Sequence, residues 1–148
     1  MTFEIKDVAP IAVAKKYAGI GVTLSGKIKN TRTPFSIDFG VGDVIVPKQE
    51  KRRIPTQLDD FKAPVINTYS IETTEAEKID AILSLMEFSS RMKDYYDIYL
   101  IHKFKFNKIN KTKFRGAVEK TFKKRNFNTD LITSLKVVKD SKILKDKW

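Results

Sequence analysis

The sequence predicts an α+β protein in which a small antiparallel sheet precedes a basic, helical C-terminal half. Three observations carry this expectation. Apolar residues recur at every second position between residues 19 and 40, they recur at helical spacing from about residue 70 onward, and the excess positive charge lies wholly in the second half. In GIGVTLSGKI, residues 19–28, Ile20, Val22, Leu24 and Ile28 fall largely on one side of an extended chain. KNTRT then supplies turn chemistry at Asn30 and Thr31, and PFSIDFG returns with Phe35, Ile37 and Phe39 on one face and Ser36 and Asp38 on the other. The two runs read as a β-hairpin. Gly40 and Gly42 loosen the chain before a short strand at DVIVP, residues 43–47. Pro47, Pro55 and Pro64, with a basic cluster at Lys51, Arg52 and Arg53, mark residues 47–67 as an extended connection, because proline disfavours helix and central strand alike.

The helical reading begins at Tyr69. YSIETTEAEKIDAILSLMEF carries Ile79, Ile82, Leu83 and Met86 on one stripe, with a capping box at Thr74 and Glu77 or an N-cap at Ser70 to start it. SSRMKDYYDIY, residues 89–99, reads as a second helix with Arg91, Asp94 and Asp97 on one face and Met92, Tyr96, Tyr99 and Leu100 opposite. Its ordinary explanation is a solvated face of ion pairs, Arg91 with Asp94 and Lys93 with Asp97. A third helix from about Lys111 to Lys124 places Phe114, Val118 and Phe122 four residues apart, and a fourth covers Asp130 to Lys145. The β-rich part thus spans 1–67 and the basic helical region 68–148.

Composition narrows the chemistry. Without cysteine the 148 residues hold no disulfide, thiolate zinc site or thiol nucleophile. The single histidine, His102, makes a histidine metal site or a Ser/His/Asp triad a poor expectation, and by itself reads as an ordinary helix residue. No apolar run approaches the roughly 20 residues that span a bilayer, and the opening residues lack a signal-peptide pattern, so a cytoplasmic protein is expected. The net charge is +11; residues 1–90 carry 12 Lys plus Arg against 12 Asp plus Glu, whereas residues 91–148 carry 17 against 6. Such asymmetry points to a polyanionic partner, nucleic acid before an anionic membrane surface.

Two further charges ask for an explanation. Asp38 sits inside an apolar strand, where a carboxylate is costly unless it faces solvent, a cation or a metal. Lys78 stands between Glu77 and Ile79 with Glu75 three residues back, which a surface ion pair would explain.

Taken in order, FSIDFGVGDVIVP, YSIETTEAEKIDAI, SSRMKDYYDIYLI and AVEKTFKKR resemble successive blocks of the AbiEii/AbiGii-type nucleotidyltransferases, toxins of bacterial abortive-infection (phage-defence) and type IV toxin–antitoxin systems. The resemblance covers residues 20 to 125. It implies a polymerase-β-like nucleotidyltransferase sheet followed by a helical domain, Mg²⁺ as cofactor, and an NTP, tRNA or other RNA and an antitoxin as partners. Asp38 matches the strand carboxylate that completes the metal site, Lys78 the lysine of the family's A-E-K block, and Asp94 the aspartate of its R-x-K-D block. These three are the candidate catalytic residues, with Asp38 the candidate metal ligand and Lys78, Arg91, Lys93 and Asp97 the candidate nucleotide contacts. Nucleotidyl transfer needs that chemistry: hard oxygen ligands for Mg²⁺, a cation on the triphosphate and carboxylates to orient the attacking hydroxyl.

One departure is decisive. The family's first motif, a Gly-Ser turn opening a helix and then a strand bearing Asp-x-Asp, should lie upstream of Phe3. LSG at 24–26 has the reverse order with no Asp-x-Asp behind it, and Asp59 and Asp60 lie in the proline-rich connection. The expectation is a truncated or split AbiEii-like protein, inactive alone, binding Mg²⁺ weakly or not at all, whose curtailed sheet exposes apolar surface or an open edge and self-associates. Two alternatives stand beside it: a transferase half completed by a separate polypeptide, or a basic module that binds RNA or an antitoxin through residues 91–148.

Overall fold

A computed structural model of the chain describes residues 1–11, 19–42, 44–89 and 91–148. The chain divides into two compact units, Met1–Asp43 and Val44–Trp148, so the proline-rich connection groups with the helices. The α+β organisation, antiparallel strands followed by a helical C-terminal half, is as the sequence predicts.

The first unit is a three-stranded antiparallel meander: β1 (Thr2–Pro10), β2 (Gly19–Ile28) and β3 (Thr31–Gly40), in that spatial order. The β2–β3 hairpin was legible in the sequence. Its turn falls one residue earlier than expected, at Lys29 and Asn30, with Lys29 at φ 52°. β1 was not anticipated, because its alternation is broken. A bulge between Ile5 and Asp7 lets Ile5 pair with Leu24 and Val8 with Val22 on the same face although they are three residues apart. Phe3 opposite Gly26, Val22 opposite Ile37 and Ile20 opposite Phe39 complete an apolar face, and Phe3 meets Phe35 edge-on across Gly26 at 5.9 Å. No described residue of this unit forms a second layer over that face. Asp38, paired with Gly21, lies on the opposite, polar face and is exposed.

The second unit opens with residues 44–47, which are not the short strand expected there; Asp43 lies outside the described residues. Instead the Val46 N–H donates to Thr73 Oγ1 (3.0 Å), while the Val46 carbonyl accepts from the hydroxyls of Ser70 (3.0 Å) and Thr73 (2.6 Å). The connection also holds a two-stranded sheet, β4 (Glu50–Arg53) with β5 (Val65–Thr68). Pro55 and Pro64 fall just outside the paired residues, where no ladder N–H is required of them.

Five helices follow. α1 (Ile71–Leu85) is N-capped by Ser70, whose hydroxyl accepts from Thr73 N–H at 3.1 Å, and ends in a single 3₁₀ turn, Met86–Phe88. α2 (Met92–Lys105) runs into another 3₁₀ turn, Phe106–Lys108, and α3 (Lys111–Lys124) is capped by Asn110. The fourth expected helix is two: α4 (Leu131–Asp140) and α5 (Lys142–Lys147) meet at Ser141, whose N–H closes the first and whose hydroxyl oxygen accepts from Leu144 N–H to open the second.

α1 is the centre of this unit, packing most extensively on α3 and then on α2. Ala76 and Ala117 are fully buried, and such small residues let two helices approach closely. Ile82 and Leu83 of the expected stripe are buried, Ile79 and Met86 only half so. The rest of the interior is unusually polar, with Glu72, Thr73, Glu75, Asp80, Asp94 and Thr121 all buried. Among the described residues no helix is long and apolar enough to cross a membrane.

Glu72 shows how a buried carboxylate is kept charged. Its Oε1 accepts the Asn110 N–H at 2.9 Å, at the positive end of α3. Burial works to raise its pKa, but the Asn110 amide, its own backbone amide, the Ser70 hydroxyl and nearby Lys113 outweigh that and hold it below the ordinary 4.5. A carboxylate depressed on folding stabilises above the unfolded value, and that contribution disappears as pH falls through the folded one. Glu72→Gln should therefore be less stable than wild type in urea at neutral pH, with the gap closing below about pH 4. An unchanged gap in acid would contradict this role.

Candidate functional site

The sequence reading of α2 is inverted in the fold. Asp94, expected on a solvated face, is 1% exposed and the most buried residue of the helix, whereas Tyr96 and Tyr99 of the expected apolar stripe are about half exposed. The reason lies on α1, where Glu72, Glu75 and Lys78 recur every third residue along one side. Lys78 Nζ donates to Asp94 Oδ1 (3.1 Å) and Asp97 Oδ2 (2.5 Å), and one turn earlier Glu75 meets His102. The pairings step in opposite directions along the two helices, which therefore run antiparallel with a seam of charge between them.

Arg91, the residue before α2, brings its Nε within 2.9 Å of Asp94 Oδ2, an ion pair off the direction a hydrogen bond needs. On the far side of α1, Arg125 at the end of α3 reaches both Glu77 and Asp80, the latter at 2.8 Å. Between these groups lies an open cleft of about 240 Å³, lined by Tyr69, Thr74, Glu77, Lys78, Arg91, Asp94 and Arg125. Burial works against the Lys78 ammonium, but Asp97 and Asp94 outweigh it and raise its pKa above the ordinary 10.5. Its contribution to stability is thus complete below about pH 10.5 and lost only as pH rises further through the folded value. Lys78 is a fixed cation at physiological pH, suited to holding an anion and unsuited to accepting a proton or attacking as an amine.

Comparison with known proteins identifies the family. The family model described as "Nucleotidyl transferase AbiEii toxin, Type IV TA system" matches residues 2–148. The chain belongs to the AbiEii family. Searches of curated proteins and of solved structures returned no match. The AbiEii match extends beyond the blocks at 20 to 125 that carry the resemblance in the sequence, taking in β1 and the last two helices.

Of the site residues expected of an AbiEii protein, the fold brings Lys78, Arg91, Asp94 and Asp97 together. Asp97 pairs with Lys78, not with Lys93 as the simple helix-face reading had it. Lys93 is exposed and does not line the cleft. Asp38 belongs to the other compact unit. Arg125 and Glu77 were missed as cleft residues; the family-like block AVEKTFKKR, ending in Arg125, held the only signal.

The donor set does not fit a resident Mg²⁺. Asp94 presents its oxygens to Lys78 and Arg91, and Asp97 turns one oxygen to Lys78, so these carboxylates position cations and do not stand open as metal ligands. Among the described residues no three His, Cys, Asp or Glu side chains gather where they could hold a metal ion.

Proposed function

We propose that the α1–α2 seam is the triphosphate-binding side of a nucleotidyltransferase site, with Lys78 and Arg91 as its phosphate contacts and Asp94 and Asp97 as the residues that position them. The observation that carries this reading is the convergence of Lys78, Arg91 and Arg125 on one cleft above a buried aspartate. An ammonium has three N–H donors; Lys78 spends two on Asp94 and Asp97, and the third remains for a phosphate oxygen. Arg91 uses only Nε toward Asp94, its side chain is about half exposed, and its terminal fork suits a bidentate phosphate contact. Arg125, engaged with Glu77 and Asp80, fixes the opposite wall.

The 148 residues contain no Asp-x-Asp. Asp38 alone binds Mg²⁺ weakly, because a strongly hydrated cation keeps its waters unless several oxygens hold it. The chain by itself therefore binds an NTP without transferring it to tRNA or another RNA, and a polypeptide bearing the missing carboxylates would complete it. Membership of a type IV toxin–antitoxin family supports an antitoxin as partner. Incubation with Mg²⁺, each labelled NTP and total tRNA should leave the RNA unlabelled. Robust labelling abolished by Asp38→Ala would overturn the inactive reading.

Self-association through the first unit belongs to the same proposal. Among the described residues β1 and β3 each pair with β2 alone, and the three strands share an apolar face, which is the surface a second sheet covers. Sedimentation velocity should show a concentration-dependent dimer or larger species. A strict monomer across a wide range would count against it.

A further inference from the structure

The connection that delivers Arg91 to the cleft is tied down by α5. Where α1 ends, Met86 has φ 44° and ψ −126°, a backbone conformation that is costly for any residue with a side chain. Such a conformation persists only where its surroundings impose it. The 3₁₀ turn Met86–Phe88 and Ser89 follow, and Arg91 directly precedes α2.

Both ends of α5 grip this connection. Ser141 Oγ donates to Glu87 Oε1 at 2.5 Å, and at the other end of the helix Lys147 Nζ donates to the carbonyls of Glu87 (3.0 Å) and Ser89 (3.2 Å). Carbonyls at a helix end lack helical partners, and a cation placed there also meets the negative end of the helix dipole. Ser89, 2% exposed, passes the restraint on, because its hydroxyl oxygen accepts the Arg91 N–H at 3.2 Å. The Arg91 carbonyl in turn accepts the Asp94 N–H at 3.0 Å. The backbone of Arg91 is thus held on both sides while its side chain reaches Asp94. Lys147 itself is exposed and does not line the cleft.

We propose that Lys147 is a positioning residue for the nucleotide site: through Ser89 it holds the α1–α2 connection so that Arg91 meets the triphosphate. The inference rests on the reading of Arg91 as a phosphate contact, whose affinity depends on its being fixed before the ligand arrives. Two measurements on the full chain test it, amide hydrogen exchange by NMR without nucleotide and equilibrium binding of a labelled NTP. In Lys147→Met the Ser89 and Arg91 amides should exchange about fivefold faster, with the Leu83 amide in the core of α1 unchanged, as a local loosening requires. NTP affinity should fall about fivefold, the loss expected of one or two hydrogen bonds to exposed carbonyls. Lys147→Arg, which can donate to both carbonyls, should restore both readouts. In the Arg91→Ala background, Lys147→Met should change affinity less than about 1.5-fold, because residues that act through one another are not additive. Unchanged exchange at Ser89 and Arg91 would overturn the proposal, and so would an equal loss of affinity with and without Arg91, the signature of a lysine acting on the nucleotide directly or on stability at large. If Arg91→Ala binds NTP as well as wild type, the cleft reading fails, and the clamp stands or falls with the amide exchange alone.

Discussion

Arg125→Ala should strongly destabilise the helical unit. Asp80 is 2% exposed and Glu77 about one-fifth, and Arg125 bridges them from the end of α3, so its loss takes a guanidinium partner from a buried carboxylate on the helix that carries the core residues Ala76 and Leu83. Breaking a buried pair by removing one partner costs about 3–5 kcal/mol. Against a total stability of roughly 5–15 kcal/mol for a domain, that is a large fraction, and thermal melting by circular dichroism should fall by about 10 °C or more. Arg125→Lys should recover only part of it, since a single ammonium cannot serve two carboxylates as a guanidinium fork does. Asp80→Asn in the Arg125→Ala background should restore part of the stability, because the buried charge that Arg125 neutralised is then gone. A melt for Arg125→Ala within two or three degrees of wild type, on the order of 0.5 kcal/mol, would mean that the bridge contributes little.

Lys78→Met carries the second large effect, and on two quantities. The substitution keeps most of the aliphatic stem and deletes the charge. Asp97, 41% exposed at its side chain, can return to water, but Asp94 cannot. Arg91 stays beside Asp94, so the loss should be smaller than for a fully abandoned charge, roughly 2–4 kcal/mol in chemical unfolding. Adding Asp94→Asn should recover most of that stability without restoring nucleotide affinity. That split separates the two roles: a lysine kept only for structure would leave NTP binding intact in any variant that folds.

The β2–β3 hairpin, the start of α1, the span of α3 and the family blocks were legible because each rests on local chemistry: alternation, an N-cap serine, a four-residue apolar spacing. β1 was hidden by its bulge, since one extra residue shifts Val8 back onto the face of Ile5 and destroys the simple period of two. The β4–β5 hairpin was masked by the prolines that flank it. α2 misled for a different reason. Periodicity assigns a polar stripe to solvent, yet here the partner helix brings its own polar stripe, and Asp94 is buried because Lys78 is waiting for it. Nothing within residues 89–99 encodes that; the matching three-residue spacing of Glu72, Glu75 and Lys78 on α1 does, read together with Asp94, Asp97 and His102. Ser141 splits the last helix by serving as a cap to both sides, a role that a serine in mid-pattern does not announce.

The central claim is that Lys78 and Arg91 hold a nucleotide triphosphate, and Arg91→Ala tests it most directly because this half-exposed side chain can be removed while Lys78 still pairs with Asp94. Equilibrium binding of a labelled NTP to wild type should be saturable and should weaken as salt is raised. In Arg91→Ala, shown by its melting curve to be folded, the affinity should fall about tenfold or more, the loss of one charge-assisted bidentate contact. Undiminished binding to the folded variant would contradict the account and remove the cleft from consideration as the triphosphate site.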